Sequence, residues 1–554
     1  MSGISRRQFL SSASLATAGF VGLSRSERAW ANSATRVGGE EYIIIDTPHG
    51  KLRGIRDDGV SIFRGVPYAG TVSGLRRFQR PAPLEAWTGM RDAVRLGPPS
   101  LQPGRQATPT EPAPADDCLV LNVWTPAADG SRRPVMFYSH GGGYVTGSGG
   151  SRGQDGSNLA RRYDVVVVET NHRLGLFGFL YLDDLAGEAY AGSGNNGTLD
   201  LVDGLRWVQQ NIEAFGGDPA NVMIFGESGG GGKTSCLYAM PGAAPYFNKA
   251  SIESGPGVRM TTREAAAETT AFVLKDLNIA RPDWRKLLDV PSADLLAIQT
   301  KLPPVPPDAT VRPRGKDAPL RRGFGPVVDG VALPNHPFDP TAPAISRDKP
   351  LMVGWNEDEY NFFAWQSHDT SAFSLDLDGL RAKLMPRFGA NTARIVDTYR
   401  ASRPSASPTD IYVAVESVTM MGLGSIEIAE RKAAQYAAPA YLYNFGYKSE
   451  AKIPGTDYAM GTPHAADIGF KFDNVAAPGP FSGGRPERLI AARNMAEMWT
   501  TFARTGCPAA AGQPAWPAYD LTRRAMMRID TQCEVIDDRY HEEREMWKAL
   551  GYLG

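Results

Sequence analysis

The sequence predicts an α/β fold: a central, mostly parallel sheet flanked by helices, with helical and loop insertions forming a cap. Three observations point there. Strand-like apolar runs alternate with helix-like segments between about residues 120 and 260, as expected of a parallel sheet covered on both faces. A serine stands between glycines just after one such run, in Phe225-Gly226-Glu227-Ser228-Gly229-Gly230, the mark of a sharp strand-to-helix turn. A second run is followed by His140-Gly141-Gly142-Gly143-Tyr144, a loop whose amides no side chain hinders.

Taken in chain order, residues 41–45, 51–55 and 60–64 suggest a small antiparallel edge. Residues 119–124, 135–138, 165–170 and 222–226 are the clearest strands, rich in Val, Ile, Leu and aromatics. Residues 199–211 read as a helix with Leu201, Leu205 and Val208 on one face. After residue 258 the pattern changes to helical stretches and proline-rich loops, such as 303–307 and 312–322. These suit a cap that sets substrate choice, although the basic run 312–322 reads equally well as a solvated loop. Near the end Ala491, Met495, Met498 and Phe502 repeat at spacings of four, three and four, predicting a helix packed on the sheet.

At 554 residues, with 42% hydrophobic and 21% charged residues and a formal net charge of −1, the chain has ample core and no electrostatic case for nucleic acid. No linker divides it, so residues 32–554 are expected to form one catalytic domain. Residues 1–31 read separately, as an export signal. Ser5-Arg6-Arg7-Gln8-Phe9-Leu10 precedes a weakly apolar stretch too short for a membrane span, and Ala29-Trp30-Ala31 suits cleavage before Asn32. The paired arginines imply the twin-arginine translocase as a transient partner, and a periplasmic or secreted destination. Four cysteines, Cys118, Cys236, Cys507 and Cys533, are too few to staple a chain this long, though Cys507 and Cys533 could pair. No metal spacing appears among cysteines and histidines, and no cofactor is implied.

Ser228 at the tip of its turn is the candidate nucleophile, and the amides of Gly142, Gly143 and Gly229 are the candidate oxyanion donors. The run Gly229-Gly230-Gly231-Gly232-Lys233-Thr234 invites a rival reading as a phosphate-binding loop. The position that should hold its first glycine is Glu227, whose carboxylate would repel a triphosphate. A serine nucleophile needs a base near neutrality, which is histidine's range. Chain order in hydrolases of this sheet type, serine then acid then histidine, discards His49, His140 and His172. His336 and His368 come early in the cap, and His541 sits in a charged, solvated run, leaving His464 in Gly461-Thr462-Pro463-His464-Ala465-Ala466-Asp467. The acid should leave a strand end, and Pro350-Leu351-Met352-Val353-Gly354 leads into Glu357, Asp358 and Glu359. Pattern alone does not choose among the three, and such clusters are commonly solvated turns.

The chain resembles bacterial type-B carboxylesterases, α/β-hydrolases whose family includes para-nitrobenzyl esterases and cholinesterases. The resemblance runs through Phe63-Arg64-Gly65-Val66-Pro67-Tyr68-Ala69, Asp117-Cys118-Leu119-Val120-Leu121-Asn122-Val123, Asn171-His172-Arg173-Leu174, Phe215-Gly216-Gly217-Asp218-Pro219 and Ile224 to Gly230. It implies a Ser-His-Glu triad of Ser228, His464 and Glu359, with Ser254 supporting acid and base and Glu227 beside the nucleophile. It also implies ester hydrolysis of small molecules through an acyl-enzyme, without cofactor. Amide or carbamate cleavage, or a catalytically silent binding role on the same scaffold, are the alternatives. Three departures stand out. The residue after the nucleophile, commonly alanine, is Gly229; the usual upstream partner of Cys118 is missing; and His464 is followed by Ala-Ala-Asp.

Overall fold

The structure, a computed structural model, describes residues 41–302 and 323–553. The expected export signal and the loops 303–307 and 312–322 lie outside the described residues.

A thirteen-stranded sheet forms the centre. Its strands are β1 (Glu41–Thr47), β2 (Gly50–Asp57), β3 (Val60–Pro67), β4 (Met90–Asp92), β5 (Val120–Thr125), β6 (Arg133–Ser139) and β7 (Val166–Thr170). They continue with β8 (Gly217–Glu227), β9 (Lys249–Glu253), β10 (Leu351–Asn356), β11 (Ala440–Phe445), β12 (Ala525–Ile529) and β13 (Glu534–Asp537). The spatial order is β1-β2-β3-β5-β7-β6-β8-β9-β10-β11-β12-β13, with β4 beside β2. From β7 through β12 every neighbouring pair is parallel, while β1, β2, β3 and β5 form the antiparallel edge. The predicted fold class holds.

The central strands are buried on both faces, which is why their sequences are nearly continuous apolar runs. Val135 and Phe137 of β6 and Val222 and Ile224 of β8 point to one core, where Leu201, Leu205 and Val208 of the helix Asn196–Asn211 meet them. Met136, Tyr138, Met223 and Phe225 point to the other, filled by Ala491, Met495, Met498, Trp499 and Phe502 of the helix Arg488–Thr505. Strand β8 begins five residues before its apolar run, because Gly217 pairs with Arg133 ahead of a register shift. The apolar segment Pro408–Ala433 is long enough to cross a membrane, yet most of it is buried inside this fold as a core helix.

The region after residue 258 does supply helices, Arg263–Asp276, Ser292–Gln299, Glu359–Ser367, Leu377–Phe388 and Thr392–Ser402. The four cysteines are free: Cys507 is exposed beside the Tyr441 hydroxyl, and Cys533 is buried against the Asp530 carbonyl.

Candidate active site

Ser228 sits between β8 and the helix Gly229–Ala239, with φ 59° and ψ −123°. A non-glycine residue there is strained, by about 1–3 kcal/mol, and persists only when its neighbours over-determine it. They do so through the Ser228 amide, which donates to the Glu253 carbonyl (2.9 Å), and the Ser228 carbonyl, which accepts from Gly232 (3.1 Å). Gly231 and Gly232 are poor helix formers, but this helix is buried on every side and packing sustains it.

His464 occupies the loop between the short strand Ala459–Gly461 and the helix Ala466–Lys471. Its Nε2 lies 2.8 Å from Ser228 Oγ, and its Nδ1 lies 2.6 Å from Glu359 Oε2. Glu359 Oε1 accepts from Ser254 Oγ (2.5 Å) and from the Asn356 amide (2.7 Å). The three residues far apart in sequence are thus one hydrogen-bonded line, with Ser254 behind the acid.

The Glu357-Asp358-Glu359 cluster is not the solvated turn that its composition suggested. Each carboxylate is committed differently. Glu357 is held by Lys448, Arg528 and Arg539. Asp358 accepts from the Thr462 amide (2.8 Å) and from Lys448 (2.6 Å), which fixes the loop carrying His464. Only Glu359, fully buried at the start of its helix, turns to the imidazole.

The loop His140-Gly141-Gly142-Gly143 leaves β6 and lies against the nucleophile turn. Gly142 and Gly143 have φ of 83° and 63°, a conformation that favours glycine. A Cβ built on Gly229 would stand 1.9 Å from the Gly143 carbonyl oxygen, so the glycine in place of the common alanine lets the loop close in. That close approach restricts Gly229 despite the backbone freedom of glycine.

Glu227 is buried, with Oε1 3.3 Å from His464 Nε2. Burial raises its carboxyl to about 8. Burial disfavours charge on His464, but Glu227 and Glu359, with Asp467, outweigh this and raise it to about 9. A second charged group lies beneath. Lys471 pairs with Glu253 and, at 2.9 Å, with Asp467, all three fully buried. Glu253 also accepts from Trp499 Nε1 and Ser251, and Asp467 from Asn356, which in turn holds the Pro463 carbonyl. Nothing in the pattern around Glu253 or Lys471 singles them out, since isolated charges in apolar segments show their worth only when folding pairs them.

The side chains of Phe362 and Phe363 pack on the His464 ring at 5.7 and 4.9 Å, with Phe481 against Phe362. Lys233 does not face a phosphate cradle: it is buried against His140 and His172, which removes the nucleotide reading. Among the described residues no group of three His, Cys, Asp or Glu is placed to hold a metal ion.

Comparison with known proteins places this geometry in context. Residues 41–547 match the family model described as the carboxylesterase family. The chain is 34% identical to para-nitrobenzyl esterase of Bacillus subtilis, over 91% of this chain and 98% of that protein. It is 31% identical to phenmedipham hydrolase of Pseudarthrobacter oxydans, over 89% and 97%. Among solved structures, a carboxylesterase of Geobacillus stearothermophilus superimposes with a TM-score of 0.77 at 36% identity, covering 91% of this chain and 99% of that one.

Proposed function

The chain belongs to the carboxylesterase family, and on that premise we propose that Ser228 is the nucleophile of this serine carboxylic-ester hydrolase, His464 its base and Glu359 the acid that orients the base. The observation that carries this assignment is the unbroken line from Ser228 Oγ through the imidazole to Glu359, at 2.8 and 2.6 Å. Glu359 holds the Nδ1–H tautomer, leaving Nε2 free to take the serine proton.

In the first half-reaction the proton of Ser228 passes to Nε2 as Oγ bonds to the ester carbonyl carbon. The carbonyl oxygen becomes an oxyanion, which the amides of Gly142, Gly143 and Gly229 receive, each worth roughly 3 kcal/mol of barrier. Collapse breaks the bond to the alcohol oxygen, which leaves with the proton from Nε2. In the second half, water gives its proton to Nε2 and attacks the acyl carbon, and Ser228 departs with that proton as the free acid is released. Ser254 supports Glu359, and Glu227 raises the basicity of His464. The aromatic rings around His464 favour substrates with an apolar group next to the ester. Small esters differing in acyl and alcohol size, assayed on the purified protein, test this: hydrolysis that rises with an apolar acyl or alcohol group supports it, and indifference to both opposes it.

Residues 32–554 are proposed as the catalytic unit and residues 1–31 as a twin-arginine signal, which places the enzyme in the periplasm or medium. Arg6 and Arg7, the weak apolar stretch and Ala29 and Ala31 support this. Arg6→Lys with Arg7→Lys should retain the protein in the cytoplasm, and unchanged export would oppose the route.

A further inference from the structure

Lys233 lies one turn and a half into the helix that Ser228 begins. Triad chemistry gives it no task. Its side chain is fully buried, and its Nζ donates to the His140 carbonyl oxygen at 2.9 Å and to His172 Nε2 at 2.8 Å. The two histidine rings stack, with centroids 4.4 Å apart and planes at 22°. Among the described residues no carboxylate pairs with this ammonium. Burial alone pulls it down to about 7, so the fold gives up charge stability to keep a donor here. The groups that titrate around it are His140, from the end of β6, and His172, after β7, with Arg105 also acting on His140.

What that donor grips is informative. The His140 carbonyl is the last fixed point before three glycines, two of them at positive φ, and a glycine run has no side chain with which to anchor itself. Further along, the Gly142 carbonyl accepts from Thr146 (3.1 Å). The oxyanion loop is therefore clamped at both ends by polar contacts, and Lys233 is the clamp nearest β6.

We propose that Lys233 is a positioning residue of the oxyanion hole: its Nζ holds the His140 carbonyl and with it the turn that presents the Gly142 and Gly143 amides, while His172 holds the Nζ. This rests on the reading of Ser228 given above and deepens it. Because an oxyanion exists only in the tetrahedral state, a loosened loop weakens the transition state more than the bound substrate.

The test is Lys233→Met, which keeps the length of the side chain without its donors, and His172→Phe, which keeps a stacked ring without its acceptor. Both, and the double variant, are measured beside the wild type for kcat and KM on para-nitrophenyl acetate. Affinity for a trifluoromethyl ketone, whose hemiketal oxyanion fills the same hole, and near-ultraviolet circular dichroism complete the set. The expected result for Lys233→Met is a kcat lower by about 30- to 100-fold, KM within about threefold, and inhibitor affinity reduced by the same factor as kcat. His172→Phe loses less, and the double variant is no worse than Lys233→Met, because the two act as one unit. Wild-type kcat and inhibitor affinity in a folded Lys233→Met protein would overturn the proposal, as would a loss confined to KM, additive losses in the double variant, or failure of both single variants to fold. A wild-type protein without esterase activity would instead overturn the reading of Ser228 on which the proposal stands.

Discussion

Replacing Glu227 by glutamine should move the acidic limb of activity to lower pH. The carboxylate lies 3.3 Å from His464 Nε2. At that separation a unit charge pair gains about 1 kcal/mol if screened as in water and about 5 kcal/mol at an effective dielectric near 20. The pair is buried, which favours the larger figure, but burial also raises Glu227 itself to about 8. That burial disfavours the charged carboxylate, so only part of that field acts on the imidazole. At about 1.4 kcal/mol per pH unit, the realised shift is roughly one to two units. The sign follows from the form that acts: His464 works as the neutral base, and its carboxylate neighbours raise it to about 9. Removing one of them lowers that pKa, so the neutral imidazole survives further into acid. The assay is kcat/KM for para-nitrophenyl acetate from pH 5 to 9.5 at constant ionic strength, which reports the free enzyme. A limb that stays put or moves to higher pH in Glu227→Gln, or a wild-type limb below 6.5, would refute the reasoning.

Other substitutions probe the remaining parts. Glu359→Gln places an amide where Nδ1–H needs a carboxylate, and kcat should fall by about 10³- to 10⁴-fold in a protein that remains folded; a loss below tenfold contradicts the orienting role. In Gly229→Ala the new Cβ meets the Gly143 carbonyl at 1.9 Å, forcing the loop back by about 1 Å, and kcat should drop about 10²-fold. Full activity there would show that the close approach is dispensable. Lys471→Met strands Glu253 and Asp467 as buried charges and should cost about 3–5 kcal/mol of stability, read as a lower denaturant midpoint; an unchanged midpoint would mean the cluster is not ionised.

Much of the sheet was legible because its central strands are buried on both faces and so leave uninterrupted apolar runs. Ser228 and the glycine loop were legible for a related reason, since turns that tight restrict which residues fit. The acid was not. Glu357, Asp358 and Glu359 are chemically near-identical and adjacent, and their separate fates depend on Lys448, Arg528, Arg539 and the Thr462 amide, all brought from elsewhere by the fold. Resemblance, not pattern, selected Glu359. Lys233 shows the converse. Its spacing from the glycines suits a phosphate loop, but which way a helical side chain points is decided by what packs around the helix, and here that is a pair of stacked histidines. Glu253 and Lys471 carry no signal in the sequence, because a charge in an apolar segment reads as a surface position until the fold brings its partner.

Ester hydrolysis by this chain requires that Ser228 form the covalent intermediate. The most direct measurement is mass spectrometry of the peptides released after reaction with a fluorophosphonate ester, run in parallel on wild type and Ser228→Ala. The expected result is a single phosphonate adduct on the wild-type peptide containing Ser228, appearing as hydrolysis stops, and neither adduct nor hydrolysis in the alanine variant. An adduct on another residue, or hydrolysis that survives in Ser228→Ala, would contradict it.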